Sequence, residues 1–121
     1  MGYFGRRKAA FSYAFRGLQY LLINEPHMRI HACIAILTII AAILLEISSM
    51  EWCLIVVCIG SVFMAEAFNT AIEKLSDKVS PERDPLIKIA KDVAAGAVLA
   101  ISIASAVIGL IIFIPRLIIL F

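Results

Sequence analysis

Charge is scarce in this sequence and nearly absent from its middle. Charged residues make up 17% of the chain and leave a formal net charge of +2, too small and too local for a nucleic-acid partner. Between Trp52 and Ala65 the one polar side chain besides cysteine is Ser61. Cysteine is also sparse: Cys33, Cys53 and Cys58 are odd in number, lie in apolar stretches and lack paired ligand spacing. No disulfide framework or zinc site is implied, and the three read as packing residues. The few glycines form no Gly-rich phosphate loop, which excludes a P-loop mode of nucleotide binding. No internal repeat or low-complexity segment is evident, and the lengths between apolar runs leave no room for a second domain.

What is present is hydrocarbon. Hydrophobic residues make up 63% of the 121 positions, and they form runs at about Pro26 to Ile47, Trp52 to Ile72 and Val93 to Ile114. Each reaches the roughly 20 residues that cross about 30 Å of bilayer core. The expected fold class is an all-α membrane protein, one domain over 1–121, with an amphipathic surface helix at about 3–23 before three transmembrane helices. In that first helix Arg6, Arg7, Lys8 and Arg16 punctuate Phe4, Phe11, Phe15, Leu18, Leu21 and Leu22, as on a membrane surface. A cleaved signal peptide would need a continuous apolar core before a small-residue site, and none is seen. Apart from Arg116, every Lys and Arg lies in the N-terminal segment, at Arg29, or between Lys74 and Lys91. The N-terminus and second loop are therefore expected in the cytoplasm, with the Glu46 to Glu51 link and the tail Pro115 to Phe121 outside.

One stripe of acid and amide enters this apolar setting. Glu66, Asn69, Glu73 and Asp77 project within an arc of roughly 80° at about 100° per residue. An Asp at mid-helix costs roughly 2.5 to 3.5 kcal/mol on an insertion scale, so such a stripe must face a polar interior and marks a functional site by default. Asn24-Glu25-Pro26 breaks the surface helix and sets Glu25 at the mouth of the first span, with Arg29 beyond it. Asp84 reads as the N-cap of a last helix beginning near Leu86 and carrying Lys88, Lys91 and Asp92. Each span thus brings charge to one membrane face. Carboxylates with a lysine suit Mg²⁺ and nucleotide phosphates, while interhelical salt bridges are the plainer alternative. Ala94, Ala95, Gly96 and Ala97 permit close helix approach, hence oligomerisation.

The motifs I-N-E at Ile23 to Glu25, E-A-F-N-T-A-I-E-K-L-S-D at Glu66 to Asp77, and A-K-D-V-A-A-G-A-V-L at Ala90 to Leu99 closely resemble the prokaryotic integral-membrane diacylglycerol kinase family, which includes the undecaprenol kinases. The resemblance implies ATP- and Mg²⁺-dependent transfer of a γ-phosphoryl group to a membrane-lipid hydroxyl, by a homotrimer in the bacterial inner membrane. By position, Glu66 resembles the general base and Asn69 a residue orienting that carboxylate or the acceptor. Glu25 and Glu73 resemble the metal-holding pair. Lys91, with Asp77 and Asp92, corresponds to nucleotide contacts, as do Glu82, Asp84, Arg6 and Tyr13. The family has no Gly-rich phosphate loop, in keeping with its absence here.

Two departures stand out. Asp84 lies where many relatives carry His, and Arg29-Ile30-His31 looks more like the undecaprenol kinase branch. His27 and His31 receive no role from sequence; each reads as an interfacial or packing residue. The alternative functions are an ion-conducting or transporter subunit, and a noncatalytic assembly protein with polar interhelical contacts. A pore would spread polar residues along a span, whereas these cluster at one end. An assembly protein offers no reason for Glu25, Glu73 and Lys91 to converge.

Overall fold

The computed structural model describes residues 2–80 and 82–121, and among these it is all helical. Four helices follow one another: α1 Tyr3–Asn24, α2 Pro26–Leu44, α3 Ser49–Val79 and α4 Pro85–Leu120. The last three are long and apolar enough to cross a membrane. Glu25 separates α1 from α2 in an extended conformation, φ −108° and ψ 109°, because the ring of Pro26 disfavours helical geometry in the residue before it.

The first apolar run continues to Ile47, but α2 stops at Leu44. The stop is a Schellman-type close: Glu46 takes φ 52°, its N–H donates to the Ile43 carbonyl at 3.3 Å, and the Ile47 N–H donates to the Ala42 carbonyl at 3.3 Å. Ile47 and Ala42 then meet in the small core at this end, with Ile55 and Ile112. A capping box opens α3. Ser48 Oγ accepts from the Glu51 N–H at 3.2 Å while the Ser48 N–H donates to Glu51 Oε1 at 2.9 Å.

α3 and α4 outrun their apolar stretches. At 1.5 Å per residue, the 31 residues of α3 extend about 46 Å, well beyond roughly 30 Å of hydrocarbon. Its surplus lies at the end that carries Glu73 and Asp77. Asp84 caps α4 as its sequence predicts, accepting from the N–H groups of Leu86 at 2.8 Å and Ile87 at 3.3 Å, and the helix begins at Pro85 rather than Leu86. The expected tail from Pro115 is instead helix to Leu120. Pro115 removes one backbone donor, yet Arg116 beside it donates to the carbonyls of Leu45 at 3.4 Å and Glu46 at 3.2 Å and pairs with Glu51. Those contacts hold the end of α4 against the α2–α3 link, and they account for a basic residue on the face expected to lack one.

Packing is uneven. α3 and α4 make the principal interhelical contact, while α2 touches α3 much less, and α1 meets α2 and the end of α3 that carries Lys74. Broad apolar faces remain exposed, among them Leu37, Leu44, Val57, Phe68, Ile103 and Leu110.

Candidate functional site

The polar stripe on α3 runs from the interior to the surface. Glu66 is buried, only 7% exposed, Asn69 and Glu73 are half-buried, and Asp77 is exposed. A carboxylate taken out of water is costly unless it is partnered. Glu66 meets His31 of α2, whose Nε2 stands 3.3 Å from Glu66 Oε1. One turn on, Asn69 Nδ2 donates to Glu73 Oε1 at 3.4 Å, and Asn69 Oδ1 is buried with no partner among the described residues. The Asn69 amide thus bonds to Glu73, and no bond from it to Glu66 is seen among the described residues.

Charged groups sort into pairs rather than one knot. Glu25 lies 3.8 Å from Lys74 Nζ, which also sits over the Tyr20 ring at 5.9 Å. Lys91 pairs with Asp77 across α3 and α4 at 2.6 Å. Asp92 is bonded to Lys88 on its own helix at 2.6 Å, an i, i+4 pairing that draws it away from Lys91. Arg29, expected within the convergence, folds back to cap α1, donating to the carbonyl of Ile23 at 2.6 Å. Arg6 and Tyr13 lie exposed on α1, with Tyr13 beneath the guanidinium of Arg16 at 5.7 Å. Neither borders the cleft described next.

Two hollows flank the stripe. A polar cleft of about 680 Å³ is bordered by Asp77, Lys88 and Lys91 and by the loop residues Glu82, Arg83 and Asp84. An apolar groove of about 540 Å³ runs between α2, α3 and α4 from His31 to Leu117. Along α4 it spans Ser102 to Leu117, about 22 Å at 1.5 Å per residue. Its upper end is the histidine that touches Glu66.

The family model for prokaryotic diacylglycerol kinase matches residues 12–113. The chain belongs to this family. It is 41% identical over 108 residues to the undecaprenol kinase of Bacillus subtilis, covering 89% of this chain and 88% of that protein. It is 35% identical to a diacylglycerol kinase of Synechocystis sp., over 89% of this chain and 62% of that longer protein. Against the diacylglycerol kinase of Escherichia coli the identity is 32%, over 87% and 85% of the two chains. This member of the prokaryotic diacylglycerol kinases is accordingly a lipid kinase held in a membrane by its apolar helices. Of the expected site residues, all but Arg6 fall within the matched region.

The donor chemistry of the kinase fits a hard divalent cation. Among the described residues no group of three or more His, Cys, Asp or Glu is placed to hold a metal by itself. Glu25 and Glu73 have only loose partners, at 3.8 Å and 3.4 Å. Two carboxylates completed by phosphate oxygens and water suit Mg²⁺, which is seldom caged by protein alone.

The contact of His31 with Glu66 is the one that sequence reasoning missed. The signal was present: Met28 and Ala35 are buried on α2, and His31 falls three residues after one and four before the other, on the same helix face. A polar residue on that stripe needs a partner, and Glu66 supplies it.

Proposed function

We propose that this chain transfers the γ-phosphoryl group of ATP to the hydroxyl of a membrane lipid, with Mg²⁺, as a homotrimer whose sites are shared between subunits. The observation that carries the reading is a buried carboxylate, Glu66, on the polar stripe and against His31, the residue that heads the apolar groove. A lipid tail in the groove would bring its hydroxyl to Glu66 while the nucleotide occupies the cleft beside Lys91 and Asp77. Glu66 accepts the hydroxyl proton, the lipid oxygen bonds to the γ-phosphorus, and the bond to the bridging oxygen breaks with its electron pair leaving on ADP. Phosphoryl transfer asks mainly for positioning and charge neutralisation, and Lys91 provides a point charge for phosphate. Glu25 and Glu73 would hold Mg²⁺, which when bound would further neutralise the phosphate charge. Glu82 and Asp84 border the nucleotide from the loop, and Asp92, Arg6 and Tyr13 complete its surroundings in the assembled trimer.

Undecaprenol is the favoured acceptor and diacylglycerol the alternative. The undecaprenol kinase relative has the higher identity, 41% against 35% and 32%. The groove suits the hydrocarbon tail of either lipid: among its described lining only His31, Thr38, Ser102 and Ser105 carry polar side chains besides Cys58. The distribution of basic residues supports a cytoplasmic N-terminus in the bacterial inner membrane. A channel reading is disfavoured by the groove, which stays mostly apolar from Ile34 to Leu117.

The test is ATP-dependent phosphate transfer by purified protein in mixed micelles, with undecaprenol and diacylglycerol offered separately and with metal-free and Glu66→Gln controls. Faster transfer to undecaprenol that is lost in both controls is the expected result. Transfer to neither lipid by an assembled oligomer would remove the proposal and lead to ion-flux measurements.

A further inference from the structure

Glu66 needs a group to fix its carboxylate, and the group seen in contact with it is not Asn69. The Asn69 amide donates to Glu73, and the group that faces Glu66 comes from another helix. Among the described residues His31 is the one basic side chain within salt-bridge reach of Glu66. Its ring, 21% exposed against 9% for the Glu66 side chain, also forms the upper end of the apolar groove. It therefore touches both the carboxylate and the space through which a lipid would approach.

A carboxylate oxygen only accepts, so the nitrogen facing it carries the hydrogen. At 3.3 Å the contact is longer than a closed charge-assisted bond of roughly 2.7 to 2.9 Å. Catalytic hydrogen bonds are often long before substrate binds and tighten around it.

We propose that His31 is a positioning residue for the phosphoryl transfer: by donating from Nε2 to Oε1 of Glu66 it aims Oε2 at the head of the groove, where the lipid hydroxyl arrives. The inference rests on the reading of Glu66 as the base. The hydroxyl proton goes to Glu66 Oε2, the new bond joins the lipid oxygen to the γ-phosphorus, and the nucleoside diphosphate leaves with the electron pair of the broken bond. His31 keeps its own proton throughout. It supplies the direction, and a fixed donor in a site removed from water costs no reorganisation when charge develops.

The experiment compares His31→Ala and His31→Gln with the parent protein in mixed micelles, with oligomer size and thermal unfolding followed in the same detergent. Glutamine offers an N–H donor at about the reach of Nε2. His31→Ala should lower kcat by about 10- to 100-fold, the scale of a misplaced reacting group, with the KM for ATP within about twofold. His31→Gln should recover kcat to within about fivefold of the parent, as expected where the donor rather than the ring is needed. Alanine at the parental rate, glutamine as impaired as alanine, or a loss confined to the KM for ATP would each overturn the inference. A parent protein that phosphorylates no lipid overturns the proposed function and this inference together, whereas an active parent with an unimpaired alanine variant overturns the inference alone.

Discussion

At the scale of single residues, Glu66 and Asp77 show how one helix face sets two chemistries. They lie on the same stripe of α3, yet Glu66 is buried against His31 while Asp77 is exposed and paired with Lys91. The buried group suits proton transfer and the exposed pair suits phosphate, because water screens the second and not the first. Replacing Glu66 by Gln keeps the volume and removes the proton acceptor. It should reduce kcat by roughly 10²- to 10⁴-fold, the usual contribution of a general base, while leaving the oligomer intact by size-exclusion chromatography. Near-normal turnover in an assembled Glu66→Gln protein would remove the carboxylate from the chemistry.

At the scale of elements, helix ends decide where the stripe and loop lie. Glu46 holds a left-handed backbone conformation that costs a residue with a Cβ roughly 1 kcal/mol and glycine little. Glu46→Gly should therefore raise the stability of the α2–α3 connection by about 1 kcal/mol, read as a higher melting temperature in detergent. An unchanged or lower melting temperature would show that the turn is held by its surroundings, notably by Arg116. At the other end, Asp84 has a backbone task that precedes any contact with nucleotide. Asp84→Ala should cost about 0.5 to 2 kcal/mol as a lost N-cap, and Asp84→Asn much less. If the asparagine variant keeps its stability and still loses affinity for ATP, the carboxylate of Asp84 acts on the nucleotide as well.

At the scale of the whole molecule, the single chain has more exposed apolar surface and more separated polar groups than a complete site requires. α2 is lightly packed, Arg6 and Tyr13 stand away from the polar cleft, and Asn69 Oδ1 is unpartnered. A homotrimer with shared sites would cover those faces and bring α1 of one subunit to the cleft of another. Mixing subunits carrying Glu66→Gln with subunits carrying Lys91→Ala should then restore part of the activity that each lacks alone, since some sites draw both intact residues from different subunits. No recovery on mixing, with mixed oligomers demonstrated by cross-linking, would confine each site to one chain.

Sequence by itself determined the parts of this protein that follow from the free energy of transfer and from local geometry. Three apolar runs of spanning length, the break at Asn24-Glu25-Pro26, the Asp84 cap and the i, i+3, i+7 placement of Glu66, Asn69 and Glu73 were all legible, because each depends on neighbours within a turn or two of helix or on total hydrophobicity. The family motifs added the chemistry. Tertiary structure decided what depends on partners far along the chain: that Arg116 ties α4 to the α2–α3 link, that Asp92 turns to Lys88 and Arg29 to the end of α1, and that His31 faces Glu66. A side chain on a helix has its direction set by its own backbone, but which group waits there is set by how the helices pack, and in a membrane that packing has little hydrophobic driving force to announce it in the sequence.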